Sequence, residues 1–498
     1  MSEHADKTPA QTDEFDVVYH GMALSEDKRT TIRESLEKIV GKRNISDKYI
    51  DRISYSKDYW PIALRWMLEG KIAALPDIIT WPHTAEQISG ILSLANDEHI
   101  PVIPFGEGSG VLGGAVPVYG GIIVDMKKMD SILAINDTNL TITVQSGING
   151  MNLERTLNHE GYTMGHIPQS LYCSSLGGWL ACRAAGQFST KYGKIDDIII
   201  SLEAVLPQGE IIRSKSVPKS STGPQIDRLL LGAEGVLGII TEATLRIWPS
   251  PEERILRSYA FESVRNGLES IRLILRKGIF PAVVRLYDGV ETSRHFYDTP
   301  EARNTCMLIL VMEGSTDLVE TEERVSHAVC TDHGGVACGA GPVHHWFDTR
   351  FNVRETSDFS PRDVIFDTIE VSVMWDKALD LYEAMISAMK AIEGVIFASA
   401  HASHVYTQGA CFYFTFGGIS GKRDPLEFYR AVWAAAMRSC LDAGGSISHH
   451  HGIGIMRTPW LTEELGTSYN ILERLKQMLD PNSIMNPGKM GFDHDTIE

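Results

Sequence analysis

The chain has 498 residues, 43% of them hydrophobic, and its 46 basic and 64 acidic residues give a formal charge of −18. This length exceeds one ordinary hydrophobic core and predicts two or three domains. The acidic balance argues against a nucleic-acid-binding surface, so an anionic ligand would need a locally basic pocket.

Cysteine usage and hydropathy bear on the cellular compartment. The seven cysteines are scattered and lack a Cys-X-X-Cys pair, which argues against a disulfide framework or a zinc ribbon and favours a reducing compartment. Residues 1–16 contain no apolar signal core, and no apolar run is long enough to span a bilayer. We therefore predict a cytoplasmic protein and leave peripheral contact with a membrane open.

The first part of the chain reads as an N-terminal extension followed by a β-α-β unit. Residues 1 to about 20 are polar and are predicted to be a disordered tail. Thr84 and Gln87 have the spacing of a capping box at the start of an amphipathic helix. The predicted elements are helix 25–40, a helix-like aromatic run over 55–70, strand 78–81, helix 85–99 and strand 101–105.

A glycine-dense loop, Pro104–Pro117, directly follows the last of these strands. Its Gly108-Ser-Gly110-Val-Leu-Gly113 run matches the G-x-G-x-x-G pattern, but Pro117 and a strand-like run over 121–125 follow instead of a helix. A phosphate would therefore be bound by loop amides rather than by a helix N-terminus. On this stretch alone, a phosphate-binding loop and a simple glycine turn between two strands are equally supported.

Two more clusters of small residues lie downstream, over 165–186 and 232–242. Small side chains let a flat ring and a diphosphate lie close to the backbone, although a tightly packed buried turn would have the same composition. We expect the clusters near residues 106, 175 and 235 to line one elongated dinucleotide site. The elements predicted around them are strands 122–126, 132–136, 140–145 and 243–248 and helix 151–160.

Pro249-Ser-Pro251 marks a boundary, after which the pattern changes to a split β-α-β-β-α-β arrangement. Such an arrangement packs helices on one face of an antiparallel sheet. After Gly444-Gly445 comes a run of three histidines, and the chain then continues with a further helix. The predicted elements are strands 258–261, 281–288, 307–313, 364–373, 395–402 and 409–417, and helices 264–277, 318–332, 375–392, 425–443 and 464–479.

Taken together, these segments resemble the flavoproteins of the vanillyl-alcohol oxidase type and, within them, the alkylglycerone-phosphate synthase (alkyl-dihydroxyacetone-phosphate synthase) family. The resemblance runs from about Pro76 onward. The glycine segments are typical of the whole superfamily, whereas Arg285, Tyr413 and the triple histidine together indicate a much narrower group of proteins. The matching segments are 76–82, 104–110, 168–178, 221–224, 234–240, 281–286, 409–414 and 448–454.

The resemblance implies an α+β fold. It comprises a two-subdomain FAD-binding domain of the p-cresol methylhydroxylase (PCMH) type and a cap domain with an antiparallel sheet, a duplicated ferredoxin-like arrangement covered by helices. The implied boundaries are residues 1–75 for the tail and helical extension, 76–250 for the FAD-binding domain, 251–445 for the cap and 446–498 for a segment that returns to the FAD site.

The resemblance also implies the cofactor, FAD, and the residues that contact it. The histidine that binds flavin covalently in some relatives is absent from 104–114, so a noncovalent FAD is expected. The implied contacts are Pro104, Phe105, Gly106, Glu107, Gly108, Ser109, Gly110, Pro168, Ser170, Ser174, Ser175, Gly178, Cys182, Arg183, Ala184, Ala185, Glu234, Gly235, Val236, Gly238, Ile239 and Ile240.

In that family the acyl group of acyl-dihydroxyacetone phosphate is exchanged for a fatty alcohol through a flavin N5 adduct, a step in ether lipid synthesis. Such chemistry needs a proton shuttle, a base and an anion-binding group. By position, Tyr413 would exchange protons at the substrate carbon, with His449, His450 and His451 as the base cluster. Arg285 would orient the ester, and Arg354 would hold the phosphate through a bidentate contact.

Each of these residues also has a simpler interpretation. Tyr413 lies in an apolar strand and could be a core tyrosine, and Arg285 could be a salt-bridged surface residue. The three adjacent histidines are predicted to alternate across a strand, so at most His449 and His451 share a face, and a metal site would need further ligands. No metal is expected, and the co-occurrence of these residues with the flavin segments favours the functional interpretation.

Two departures from the family pattern are visible. Glu107 replaces a glycine of the loop, and its carboxylate must point away from the diphosphate or be paired. The connection between Asp288 and Met307 is short and polar, whereas the synthases carry a longer hydrophobic insert there. This difference bears on whether a tunnel for a long alkyl chain is present.

Three functional hypotheses follow. The first is an enzyme of the alkylglycerone-phosphate synthase type acting on a small-molecule or lipid-like substrate. The second is a FAD-dependent dehydrogenase or oxidase of a 2-hydroxy acid or alcohol, in which hydride passes to flavin N5. A flavin-binding scaffold without turnover is disfavoured by the clustered ionisable residues. A homodimer is expected, and no nucleic-acid partner.

Overall fold

The computed structural model describes residues 16–18, 23–352 and 363–493. The N-terminal extension packs against the first sheet and also contributes a strand to it. Helix α1 begins after Ser25, whose side chain accepts a hydrogen bond from the Lys28 amide, and it buries Ile32 and Leu36. The elements of the extension are β1 (Asp16–Val17), α1 (Glu26–Val40), β2 (Ile45–Ser46), α2 (Tyr49–Ser54), α3 (Pro61–Leu68) and β3 (Lys71–Ile72). Residues 1–15, 19 and 20 of the predicted tail lie outside the described residues, whereas Asp16 and Val17 pair with β3, so disorder is wrong at these two positions.

The first sheet is the β-α-β unit predicted from the sequence. It consists of β4 (Ile78–Thr80), α4 (Ala85–Glu98), β5 (Val102–Phe105) and β6 (Ile122–Asp125). The strand order is β2-β4-β6-β5, and β6 pairs in parallel with β4 and β5. The glycine loop therefore leaves the carboxyl end of a parallel strand, where open α/β sheets bind ligands.

The second sheet is antiparallel and has the order β11-β10-β12-β8-β7. The second and third glycine segments connect its elements and face the first sheet's glycine loop. The strands of this sheet are β7 (Ile132–Asn136), β8 (Thr141–Gln145), β10 (Ile199–Val205), β11 (Ile211–Arg213) and β12 (Ile239–Arg246), and the helices of this region are α5 (Gly150–His159), α6 (Leu176–Cys182), α7 (Ser189–Tyr192) and α8 (Ile195–Ile198). Strands β9 (Tyr162–Thr163) and β13 (Trp248–Pro249) pair with each other in a separate two-stranded sheet.

A seven-stranded antiparallel sheet of order β17-β14-β16-β15-β19-β20-β18 forms the cap. Its strands are β14 (Glu253–Phe261), β15 (Val283–Tyr287), β16 (Cys306–Gly314), β17 (Val336–Gly339), β18 (Val364–Met374), β19 (Val395–Val405) and β20 (Gly409–Ile419). Its helices are α9 (Val264–Arg276), α10 (Gly289–His295), α11 (Thr316–Asp332), α12 (Gly341–Thr349), α13 (Ala378–Lys390) and α14 (Pro425–Asp442). A large apolar core lies between this sheet and its helices.

The cap sheet consists of two ferredoxin-like units joined edge to edge through β15 and β19. The first unit is β14-α9-β15-β16-α11-β17. The second unit is β18-α13-β19-β20-α14, and in place of its fourth strand Ser446 forms an isolated bridge to Ser372. The predicted α+β fold with a duplicated cap is confirmed. The domain boundaries stay predictions.

The last segment returns to the first sheet. Met485 bridges to Val102, and the Asn486 side chain donates to the carbonyls of Gly114 and Glu234. The helix predicted over 464–479 is present as α16 (Tyr469–Leu479), but it begins five residues later than predicted. A preceding helix, α15 (Thr458–Leu465), was not predicted, and it ends at Gly466, which has a φ of 53°. Among the described residues, no helix combines the length and apolar character needed to cross a membrane.

Candidate functional site

A cavity of about 500 Å³ runs between the two sheets of the N-terminal half and the cap sheet. The three glycine segments line one part of it, and cap residues close the other end. Most of the residues predicted from the sequence line this cavity: Pro104, Phe105, Gly106, Glu107, Gly108, Ser109, Gly110, Pro168, Ser170, Ser174, Ser175, Gly178, Cys182, Ala184, Ala185, Glu234, Gly235, Gly238, Ile239, Ile240, Arg285, Tyr413, His450 and His451.

Three of the predicted residues that the structure describes do not line the cavity. The Arg183 side chain instead pairs with Asp196 at 2.7 Å, because Arg183 ends α6 in a left-handed conformation that directs it away. Val236 is fully buried in the core of the second sheet. His449 lies behind His450. Arg354 lies outside the described residues.

The three glycine segments meet because they lack side chains at their contacts. A Cβ on Gly106 would lie 2.3 Å from Ser175 Oγ, and a Cβ on Gly235 would lie 2.9 Å from the Pro104 ring. Gly108 has a φ of +68°, which side-chain-bearing residues rarely adopt. The predicted convergence of these segments is therefore present as direct contacts.

The cavity lining fits a flavin dinucleotide. Ser146 Oγ and Gln187 Oε1 line the cavity and are buried without a hydrogen-bond partner in the described part of the chain. Buried polar atoms of this kind normally have a partner, which a bound dinucleotide would supply. The glycine loop adds backbone amides free of side-chain obstruction, the arrangement that accepts a diphosphate.

The two glutamates of the lining are already engaged. Glu107 accepts a hydrogen bond from Asn149 Nδ2 at 3.3 Å, so this carboxylate is paired, as its position near the expected diphosphate requires. Glu234 accepts the amides of Ile453 at 2.5 Å and Gly454 at 2.8 Å, and burial raises its pKa. Glu234 thus fastens the third glycine segment to the loop that follows the histidines.

Tyr413 is placed at the cap end of the cavity by three neighbouring strands. Glu370 on β18 and His401 on β19 stand directly opposite Tyr413 on β20, so the three side chains share one face. The His401 ring stacks on the Tyr413 ring at 5.1 Å with an interplanar angle of 17°. Thr368 Oγ1 donates to Tyr413 Oη at 3.0 Å, which leaves the phenolic proton for another acceptor. Burial raises the pKa of Tyr413 to about 12, and the side chain is a neutral proton donor at pH 7.

The histidine run is not a strand, so the predicted alternation of its side chains is wrong. The Glu370 carboxylate accepts the backbone amides of His449 at 2.5 Å, His450 at 3.3 Å and His451 at 3.0 Å. Three successive amides directed at one carboxylate curl the chain, and adjacent ring centroids lie 5.1 and 4.4 Å apart. All three imidazoles therefore gather in one cluster.

Glu370 is completely buried and is held by Arg457. Arg457 Nη1 donates to the carboxylate at 2.7 Å, and Arg457 Nη2 donates to the Glu370 carbonyl at 2.7 Å. Burial alone would raise the pKa of Glu370, but Arg457 and the backbone N–H of His451 overcome it and lower the pKa to about 2. Glu370 is therefore an anion that orders the histidine loop.

A chain of hydrogen bonds runs through the imidazoles to the cavity. Tyr406 Oη lies 2.8 Å from His449 Nε2, and His449 Nδ1 lies 2.9 Å from His450 Nδ1. One of the two Nδ1 atoms must carry the proton that joins the rings. Burial lowers the pKa of His449 to about 3 and that of His450 well below its ordinary value. These neutral imidazoles are suited to accept or relay a proton.

Several residues of this site were missed by sequence reasoning: Glu291, Glu370, His401, His404 and Arg457. A usable signal existed for Glu370, since a carboxylate within the largely apolar strand 364–374 requires a partner when it is buried, and the same applies to Asp367. His404 has a φ of +50° at a β-bulge and stacks against His449. Its location depends on that bulge, which the local sequence does not indicate.

Ligand atoms of Glu370, Cys411, His449 and His450 lie within 4.8 Å of one another, the spacing of a metal site. Both Glu370 oxygens already accept hydrogen bonds from backbone amides and Arg457. Burial also raises the pKa of Cys411 well above its ordinary value, which opposes the thiolate that a metal would need. The group is better described as a hydrogen-bond network than as a metal site.

We expect Gly106→Ala to weaken FAD binding by about 5- to 150-fold, since overpacking of this kind typically costs about 1–3 kcal/mol. The added methyl group would either displace the Ser175 hydroxyl from the Gly178 amide or shift the loop and widen the cradle. Flavin-to-protein absorbance ratios during dialysis measure the effect. Gly341→Ala is the matched control, because its Cβ would have no neighbour within 4 Å. Equal FAD retention in the two variants would contradict the prediction.

We also expect stability to fall steeply in mild acid. Burial lowers the pKa of His401 and His451 to about 4, and the pKa values of His404, His449 and His450 are lowered as well. Below about pH 6.5 these imidazoles bind protons in the unfolded chain but stay unprotonated in the folded protein. The stability that they contribute is therefore present above that pH and is lost as the pH falls towards 4.

Buried acids act in the opposite direction in part of this range. Burial raises the pKa of Asp58 and Asp367 to about 6, so the contribution of these two carboxyl groups to the stability of the protein decreases as the pH rises. We therefore expect a net uptake of at least two protons on unfolding near pH 5, or about 2.7 kcal/mol per pH unit. Denaturant titrations between pH 4.5 and 7 measure this slope. A flat profile would show that the imidazoles are not held neutral.

Comparison with known proteins gives a consistent result. Residues 76–215 match the model of the FAD binding domain, and residues 250–490 match that of the FAD linked oxidases, C-terminal domain. An alkyldihydroxyacetonephosphate synthase of Caenorhabditis elegans is 33% identical over 453 residues, covering 84% of this chain and 76% of that protein. An uncharacterized FAD-linked oxidoreductase of Escherichia coli, YgcU, is 31% identical over 83% of this chain and 88% of its own length.

A solved structure gives the same result. A structure described as alkyldihydroxyacetonephosphate synthase superposes with a TM-score of 0.77 at 25% identity. The match covers 98% of this chain and 89% of that one. The similarity therefore includes both the glycine-lined half of the cavity and the cap.

Proposed function

Because this chain belongs to the alkyldihydroxyacetonephosphate synthase family of FAD-dependent enzymes, we propose that it exchanges the acyl group of acyl-dihydroxyacetone phosphate for a fatty alcohol. The observation that carries the proposal is the position of Tyr413 beside His450, His451 and Arg285 at the closed end of the cofactor-sized cavity. When bound, FAD supplies the nucleophilic nitrogen for the exchange. The protein's own groups then have to move protons and hold an ester and a phosphate.

We assign the proton transfers to Tyr413 and the imidazole cluster. A neutral phenol with a raised pKa gives and takes back a proton only if a base lies close, and the His450 ring centroid lies 6.2 Å from that of Tyr413. His449 and Tyr406 extend the chain of hydrogen bonds away from the cavity. The proton released at the substrate carbon thus has a route that does not need bulk water.

We assign the anionic and electrophilic contacts to arginines. Among the described residues that line the cavity, Arg285 is the only lysine or arginine, and its Nε is buried without a hydrogen-bond partner. This guanidinium is placed to bind an ester or carboxylate oxygen. Arg354 stays the predicted phosphate-binding residue.

A second candidate function is oxidation of a 2-hydroxy acid or alcohol. The connection between Asp288 and Met307 favours this second function, because it lacks the longer hydrophobic insert that the synthases carry there. The segment instead contains the short helix α10, which places Glu291 against the site. The E. coli relative is likewise described only as an FAD-linked oxidoreductase. In that reaction His450 or Tyr413 would take the hydroxyl proton, and Arg285 would bind a carboxylate.

One anaerobic experiment separates the two functions. The purified holoenzyme is mixed without an electron acceptor with acyl-dihydroxyacetone phosphate plus hexadecanol, or with a series of 2-hydroxy acids. Release of fatty acid with formation of the ether product supports the synthase. Stoichiometric bleaching of the flavin by a hydroxy acid, reversed by an added acceptor, supports the oxidoreductase and contradicts the synthase.

The homodimer, the cytoplasmic location and a peripheral membrane contact stay predictions. Light scattering on the purified protein tests the first. Co-flotation with phospholipid vesicles, with and without a long-chain alcohol, tests the third.

A further inference from the structure

Arg285 donates to a histidine rather than to a carboxylate. Its Nη2 lies 2.6 Å from His401 Nε2. A guanidinium has only donors, so His401 Nε2 must be unprotonated and act as the acceptor. The cation is therefore oriented by a neutral imidazole that is itself 6% exposed.

The other nitrogen of His401 is also committed. His401 Nδ1 lies 2.8 Å from Glu291 Oε2, and with Nε2 unprotonated it is Nδ1 that carries the proton and donates to the carboxylate. Glu291 is 1% exposed and also accepts Thr415 Oγ1 at 3.0 Å. The three groups form a continuous chain from α10 through β19 to β15 that ends in the cavity.

We propose that His401 and Glu291 are positioning residues that fix the orientation of Arg285, so that its remaining N–H groups point at a negatively charged oxygen of the substrate. The assignment of that substrate rests on the proposed function, whereas the orientation of Arg285 does not. Because His401 also stacks on Tyr413, the same residue sets the distance between the guanidinium and the phenol.

The electrostatics of the chain agree with this role. Burial and Arg285 lower the pKa of His401 to about 4, and Glu291 only partly opposes them. Burial would raise the pKa of Glu291, but the hydrogen bond from His401 Nδ1 and the charges of Arg294 and Arg285 outweigh it, and the pKa falls to about 2. At neutral pH the chain is therefore carboxylate, neutral imidazole and guanidinium, and no other charge state gives the same hydrogen bonds.

The tautomer can be observed without any substrate. The holoenzyme is labelled with ¹⁵N in the histidine rings, and the His401 signals are identified by their loss in His401→Gln. We expect the neutral Nδ1–H form at pH 7. A cationic ring, or a proton on Nε2, would overturn the proposal whatever reaction the enzyme catalyses.

A double-mutant cycle tests whether His401 acts through Arg285. We expect His401→Leu to lower kcat/KM at least 10-fold on whichever substrate turns over, and His401→Gln, which keeps an acceptor, to restore part of it. On the Arg285→Met background His401→Leu should have little further effect. Additive losses would mean that His401 acts independently of Arg285 and would overturn the proposal.

His327→Leu is the matched control, because His327 contacts Tyr259 on the far side of the cap and does not line the cavity. We expect unchanged kcat/KM in this variant. If the wild type performs neither exchange nor oxidation, the proposed function fails while the tautomer measurement still decides the positioning role.

Discussion

Tyr413→Phe should retain FAD and lose turnover by about 10²- to 10⁴-fold, the usual contribution of a positioned proton donor. The substitution removes one oxygen from a ring whose packing against His401 it preserves. The remaining site keeps its imidazoles and Arg285, so substrate should still bind. Steady-state rates together with the flavin absorbance spectrum measure the two effects separately.

Thr368→Val is the companion variant. It removes the hydroxyl that donates to Tyr413 Oη and leaves the phenol in place. We expect a much smaller loss of rate, since the proton-donating group itself remains. If Tyr413→Phe keeps wild-type turnover, Tyr413 is the core tyrosine of the simpler interpretation and the shuttle must lie elsewhere.

Glu370→Gln should destabilise the protein by about 3–5 kcal/mol, because removing one partner of a buried ion pair leaves the other charge uncompensated. Arg457 is completely buried and has Glu370 as its carboxylate partner. The amide also offers one acceptor oxygen, whereas the two oxygens of the carboxylate accept three backbone N–H groups. We therefore expect the histidine cluster to disperse along with the loss of stability.

Denaturant unfolding measures the stability, and histidine ring spectra report the cluster. Glu370→Gln combined with Arg457→Met should lose less than the two single variants together, since the double variant buries no lone charge. Glu463→Gln is the surface control, because Glu463 also pairs with an arginine, Arg438, but in solvent. A Glu370→Gln protein as stable as this control would contradict the role given to the ion pair.

Local sequence was sufficient for most of the elements and for the glycine segments, but β10, β11 and α15 were not predicted. The capping residues, the strand patterns and the small-residue clusters are properties of neighbouring positions, and Gly106, Ser175 and Gly235 meet where their lack of side chains allows it. The split β-α-β-β-α-β pattern likewise predicted the cap. Arg285, Tyr413 and the histidines came from family resemblance, since each alone also fits a structural role.

The residues of the site that the sequence did not predict are brought together by contacts between residues distant in sequence. Glu370 and His401 reach Tyr413 only through strand register, and Arg457 reaches Glu370 from a helix start 87 residues later. The histidine loop was assigned to a strand because its three adjacent residues do not reveal that their backbone amides bind a carboxylate distant in sequence, Glu370. Arg183 was placed on the cofactor by position alone, whereas its partner Asp196 lies in a separate helix.

The bonds from Asn486 to Gly114 and Glu234 set an order of events during synthesis. At about 5–20 residues per second a ribosome needs roughly 20–80 s to pass from the first glycine loop to Asn486. Throughout that time the nascent loop lacks the side chain that fastens it. We therefore expect the flavin site to be completed only when the last residues of the chain have been synthesised.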